Sequence, residues 1–219
     1  GKMDGSEHRD LLILGRGRGG SYRDFEKYGI IDEVRKRNLP FDIVVPDAHF
    51  GYYRTETLAE RLKFDIIDPA RGKGYQRIWL AGFSMGGLGS LFYLVNYPED
   101  DIEGVILSSP FVGWNGIRQE IENQGGIANW SPQNKNQNWQ YLLWSWIKGY
   151  QQNPLDYPPV ILGYSIEDNV VGNGPELLAT ALDPENVFTV SGGHNYPTFQ
   201  ELWRKHLDRL TKHLKDPQQ

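Results

Sequence analysis

The sequence predicts an α/β protein: a mainly parallel sheet with helices on both faces, carrying a helical or irregular lid-like insertion at residues 111–159. Three observations predict it. Apolar runs of strand length recur at 10–14, 41–47, 77–81, 104–107, 160–164 and 186–190. The first of them, Asp10-Leu11-Leu12-Ile13-Leu14, is continuous rather than alternating, as expected of a strand buried on both faces. Between the runs lie stretches with apolar residues at helical spacing, an order that gives parallel strands joined by right-handed crossovers. Finally, the third run passes into a helical one through Gly82-Phe83-Ser84-Met85-Gly86, whose glycines suit a very tight strand-to-helix turn.

In chain order, the strand at 10–14 ends in Gly15-Arg16-Gly17-Arg18-Gly19-Gly20. Gly15, Gly17 and Gly20 satisfy G-x-G-x-x-G, the spacing of a dinucleotide-binding turn. Against a nucleotide, Gly29 interrupts the following segment, and no strand ends in an acidic residue about 20 positions on, where a ribose would need it. A helix follows through Ile30, Ile31, Val34 and Arg37, and Pro40 closes it. The strand at 41–47 leads into a loop containing His49, read as lining a pocket beyond the strand ends, with a hydrogen-bonded surface histidine as the favoured alternative. Residues 55–67 carry helical spacing through Leu58, Leu62 and Ile66, with Asp68-Pro69 and the glycines after it expected to close the helix. After Ser84, a buried helix runs through Leu88, Leu91, Phe92 and Val95 to a stop at Pro98. Pro175 to Ala181 reads as a short helix, and 198–214 as a closing amphipathic one.

Composition narrows the function. The 219 residues suit one large domain, and a net charge of −5 with 23 basic residues scattered among 28 acidic ones leaves no basic stripe for nucleic acid. A small-molecule partner is favoured. The absence of cysteine removes thiolate metal sites and cysteine nucleophiles together. No apolar run approaches the roughly 20 residues of a membrane span, and residues 1–10 lack the apolar core of a signal peptide. A soluble chain is expected, with the cytoplasm slightly favoured over export.

Ser84 is the candidate nucleophile, and the bland alternative is a glycine-rich turn. A serine hydroxyl is weak near neutral pH, so it needs a histidine base, itself oriented and charge-stabilised by a carboxylate. His194 lies in Ser191-Gly192-Gly193-His194-Asn195, directly beyond the last strand, where two glycines allow the imidazole over the sheet edge. His8 sits in the polar leader, while His206 and His213 share a helix face where packed or solvated roles suffice. Asp168, in the loop after the strand at 160–164, is the candidate carboxylate, with Glu167 its adjacent rival and Asp183 a weaker one in a turn-like Asp-Pro pair. The order Ser, Asp, His then holds.

The Gly-x-Ser-x-Gly elbow, the acid loop, the Gly-Gly-His loop and the strand-helix order together resemble the α/β-hydrolase family over nearly the whole chain. The resemblance implies a serine hydrolase without metal or organic cofactor. It places oxyanion-holding backbone amides at Met85 and at Arg18, the latter in the Arg16-Gly17-Arg18-Gly19 stretch, where the family often has His-Gly-x-x. The family's leading antiparallel strands would precede Asp10 and are not seen, so a compact member is expected. The reading is of one domain, 1–219, acting on a carboxylic ester through an acyl-enzyme, with a thioesterase or other acyl hydrolase as the alternative; a non-catalytic ligand-binding scaffold also stays in play.

Residues 111–159 break the regular rhythm and hold five of the seven tryptophans, too many to be left in water. The segment is expected to emerge on the side of Ser84 as a lid or cap, although a small satellite core would also account for the aromatics. Trp144 and Trp146 are read as buried anchors, and Trp114 and Trp130 as residues near the substrate.

Overall fold

In the computed structural model, residues 9–48, 51, 57–132 and 138–215 are described. They form six parallel strands: β1 (Asp10–Gly15), β2 (Phe41–Val44), β3 (Ile78–Phe83), β4 (Gly104–Ser108), β5 (Val160–Ser165) and β6 (Val187–Val190). The order across the sheet is β2-β1-β3-β4-β5-β6, and every neighbouring pair is parallel. The chain therefore leaves β1 toward one edge and returns on the other side at β3. That reversal opens a crevice beyond the carboxyl ends of β1 and β3, where the loops diverge.

Side chains alternate between two cores because successive residues of a strand face opposite ways. Leu11, Ile13, Ile78, Leu80, Val105, Leu107, Val160 and Leu162 face one core, and Leu12, Leu14, Trp79, Ala81, Phe83 and Ile106 the other. The second core is covered by α1 (Asp24–Lys27), α2 (Ile30–Lys36) and the long closing α9 (Tyr196–Lys215), whose Leu202, Trp203, Leu207 and Leu210 are buried.

On the first core lies a helical run made of α3 (Leu58–Arg61), a π-helical segment (Leu62–Ile67) and α4 (Asp68–Gly72), and beside it α5 (Met85–Asn96). Pro69 does not close this run as the sequence suggested. It occupies the first turn of α4, where a missing amide hydrogen is tolerated. The expected start at 55–56 falls outside the described residues, and β2 stops at Val44, short of the strand read through residue 47.

The segment at 111–159 is more regular than its sequence suggested. It contains α6 (Asn115–Asn123) and α7 (Trp139–Gln152), followed by a 3-10 turn at Pro154–Asp156. Phe111, Ile117, Ile121, Leu143, Trp144 and Ile147 join the first core rather than a satellite of their own. Trp144 is fully buried and donates from its indole nitrogen to the Val112 carbonyl at 2.8 Å. Trp146 is only half-buried, edge-on to Tyr157 and tilted against Tyr150. A short helix, α8 (Gly174–Ala179), follows β5. Among the described residues no helix is long and apolar enough to cross a membrane.

Candidate active site

Ser84 leaves β3 with φ 55° and ψ −118°, a left-sided backbone that a non-glycine residue adopts only when its surroundings enforce it. The surroundings do. A Cβ on Gly82 would sit 2.2 Å from the carbonyl carbon of Gly86, and one on Gly86 would sit 2.1 Å from the Gly15 carbonyl oxygen. These contacts are backbone on backbone, so β1, β3 and the start of α5 close up only because neither residue has a side chain. The turn is further fixed by the Ser84 amide donating to the Ser108 carbonyl at 3.0 Å, and by the Ser84 carbonyl accepting from Gly87 and Phe111, each at 3.0 Å. α5 begins at Met85, so the Met85 amide is the first of a helix N-terminus.

The loops after β5 and β6 bring two more groups to this turn. His194 Nε2 stands 2.9 Å from Ser84 Oγ, and its Nδ1 stands 2.6 Å from Asp168 Oδ2. These partners assign the tautomer: Nδ1 carries the hydrogen and donates to the carboxylate, leaving Nε2 to accept the serine proton. The imidazole packs edge-on against Phe199 at 5.0 Å. Asp168 is buried, and its Oδ1 accepts the amides of Val170 at 2.9 Å and Val171 at 3.3 Å. Burial pushes its carboxyl up, but the hydrogen bond and charge of His194 with the two amides outweigh that and hold it below the usual carboxylate range.

The two rival acids are engaged elsewhere. Glu167 Oε2 accepts the amide of Gly192 at 3.0 Å, bracing the His194 loop, and Asp183 Oδ1 accepts the Glu185 amide at 2.9 Å as the cap of a 3-10 turn. His206 is buried under the sheet, its Nε2 donating to the Leu107 carbonyl at 3.0 Å.

Ser84 and His194 open onto a cavity of about 610 Å³, within the usual range for a small ligand. One wall is the glycine loop at 17–20, the other is formed by Val170, Asn195 and Tyr196, and Phe83 and Phe199 lie beneath. A larger hollow of about 790 Å³ lies at the opposite, amino end of β2 beside Arg9 and Asn38, so size alone does not locate the chemistry.

The glycine spacing that suggested a dinucleotide turn has another use here. Gly15 meets Gly86, and a Cβ on Gly17 would come within 3.5 Å of Ser84 Cβ. The loop lies over the serine, and the next helix begins only at Asp24.

Of the residues read as binding substrate, Trp114 is 60% exposed on the loop beyond β4. It packs edge-on against Phe111, whose amide binds the Ser84 carbonyl. Trp130 is a correction: it has no exposure, stacks on Tyr141, and donates from its indole nitrogen to Glu120 at 2.9 Å, so it is a core residue. His49 lies outside the described residues.

Sequence reasoning missed Asp24 and Tyr196 on the cavity wall. The Tyr196 ring stacks on Tyr28 at 3.9 Å, and burial together with Asp24 pushes its hydroxyl up to about 12. A signal for part of this was present, since Asn195 three residues before Thr198 is a helix-start pattern, and Asn195 Oδ1 does accept the Thr198 amide at 3.1 Å. Among the described residues no group of three or more His, Asp or Glu side chains converges as a metal would require.

No protein-family model matches the chain, and no curated protein matches it in sequence. Solved structures do match in fold. A CIB-like hydrolase from Thermoplasma acidophilum superposes with a TM-score of 0.61 at 19% identity, covering 96% of this chain and 90% of that one. The S-formylglutathione hydrolase FrmB of Staphylococcus aureus gives 0.64 at 11% identity, over 93% and 81%. A monoacylglycerol lipase of Paleococcus ferrophilus gives 0.58 at 17%, over 93% and 94%. The chain has the α/β-hydrolase fold.

Proposed function

We propose that this protein is a serine hydrolase that cleaves a carboxylic ester through an acyl-enzyme on Ser84. The observation that carries the reading is the continuous line of hydrogen bonds from Asp168 through His194 to Ser84. Such a line activates a serine, because the hydroxyl proton has an acceptor in place and the resulting imidazolium has a carboxylate beside it.

In the first half of the reaction, Ser84 Oγ bonds to the ester carbonyl carbon while its proton moves to His194 Nε2. The carbonyl oxygen becomes an oxyanion, received by the backbone amides of Met85 and Arg18, a contribution of about 3 kcal/mol for each such donor. The C–O bond to the alcohol then breaks, and the alcohol leaves with the proton from His194. In the second half water attacks the acyl carbon, its proton passes to His194 and then to Ser84 Oγ, and the carboxylic acid departs. Trp114, exposed beyond β4 and packed on Phe111 next to Ser84, would meet the bulkier part of the substrate outside the cavity walls. A thioester would follow the same path, and an S-formylglutathione hydrolase is among the structures of this fold.

The experiment is hydrolysis of p-nitrophenyl acetate by wild type, Ser84→Ala and His194→Ala. Both variants should lose at least about 10⁴-fold in kcat while remaining folded. Turnover equal to wild type in Ser84→Ala would remove the proposal.

A further inference from the structure

Arg16 is the one charged residue of the glycine loop that is buried. Its side chain is 8% exposed, lying against the loop that covers Ser84. One terminal nitrogen donates to the Gly20 carbonyl, closing the loop on itself. The other reaches Asp47 Oδ1 at 3.3 Å, in the segment after β2. Its charge also acts on Tyr196, a residue of the facing cavity wall.

As a stabilising device this is a poor arrangement. The guanidinium is desolvated, its carboxylate partner is 70% exposed, and Arg16 Nε is buried with no partner among the described residues. A buried ion with one solvated counter-ion and an unsatisfied N–H is generally worth less than an apolar side chain of similar length. What the fork does supply is geometry, since it joins the far end of the loop to a neighbouring strand end through two fixed directions. Between Arg16 and the Gly20 carbonyl that it holds lie Gly17, against Ser84, and the Arg18 amide.

We propose that Arg16 is a positioning residue that holds the 16–20 loop in the shape that receives an oxyanion on Ser84. The inference rests on the proposed hydrolase reading and goes beyond it by assigning a role to a side chain that touches no reacting atom. It separates activity from stability, because removing Arg16 leaves behind the exposed Asp47 and the partly exposed Gly20 carbonyl, and no buried uncompensated charge.

The test compares wild type, Arg16→Met and Asp47→Asn with p-nitrophenyl acetate as substrate and an alkyl boronic acid as tetrahedral mimic. Arg16→Met should keep or raise Tm, lose about 10- to 100-fold in kcat with KM nearly unchanged, and bind the boronic acid more weakly by a similar factor. Asp47→Asn should move kcat and boronate affinity in the same direction by a smaller factor. It decides the matter if Arg16→Met does not fold. Unchanged kcat and boronate affinity in Asp47→Asn and in any folded Arg16→Met would overturn the proposal, as would an activity loss that only tracks a lower Tm. If wild type turns over in a Ser84-dependent way while the variants match it, this inference alone fails. A wild type with no Ser84-dependent turnover sinks the hydrolase reading and this inference together.

Discussion

Oδ2 of Asp168 lies 2.6 Å from Nδ1 of His194, across two loops that follow the neighbouring strands β5 and β6. Glu167, one residue earlier, instead holds the Gly192 amide. Asp168→Asn should therefore keep the fold and lose turnover by about 10⁴-fold, because an amide facing Nδ1 favours the wrong tautomer. Glu167→Gln retains an acceptor for Gly192 and should leave turnover nearly unchanged. Steady-state kinetics on both variants check this, and the opposite ranking would reassign the acid.

The elbow predicts a steric effect that does not depend on catalysis. Gly86→Ala places a methyl 2.1 Å from the Gly15 carbonyl oxygen, and Gly15 cannot retreat without breaking its pairing with Gly82 in β3. A loss above about 3 kcal/mol, or failure to fold, is expected, beyond the usual cost of overpacking because the obstacle is backbone. Urea unfolding measures it. A fully stable Gly86→Ala would mean that the elbow is less tightly closed than described.

The two tryptophans separate packing from binding. Trp114→Ala should raise KM for bulky esters far more than for acetyl esters with little change in Tm, since the ring is mostly exposed. Trp130→Ala should cost about 3 kcal/mol or more and leave substrate preference alone, since it empties a core site and strips Glu120 of a donor. Parallel assays of Tm and an ester chain-length series distinguish the two.

How much was legible in the sequence follows from what each feature depends on. The strands were legible because burial on both faces writes a continuous apolar run, as in Leu11 to Leu14. The elbow was legible because its glycines answer a steric demand within five residues, and Asp168 and His194 because each closes a strand-end loop. The helices of the insertion were hidden: α6 offers only Ile117 and Ile121 on a polar background, which reads as loop. Trp130 was misjudged for the same reason, since polar neighbours surround a side chain whose burial comes from Tyr141 and from Glu120 one helix away. The wall formed by Asp24 and Tyr196 joins residues at opposite ends of the chain and leaves no local trace.

The buried histidine gives the protein an acid-sensitive fold. Burial pushes His206 down to about 3, so between roughly pH 6.5 and 3 the unfolded chain binds a proton that the folded chain refuses. Its stability contribution is complete above the unfolded value and falls on acidification, by up to about 1.4 kcal/mol per pH unit. His206→Gln cannot titrate and should flatten the slope of unfolding free energy between pH 4 and 6. Below about pH 4 the lowered carboxyl of Asp168 adds a second loss as it protonates. Identical slopes in wild type and His206→Gln would contradict this account.

If Ser84 is a nucleophile activated through His194, a fluorophosphonate probe captures it covalently, as read by intact mass and peptide mapping. One adduct per chain is expected, on Ser84, abolished in Ser84→Ala and strongly slowed in His194→Ala, because an unactivated serine hardly reacts. A folded wild type that stays unlabelled, or labels equally well without His194, would contradict it.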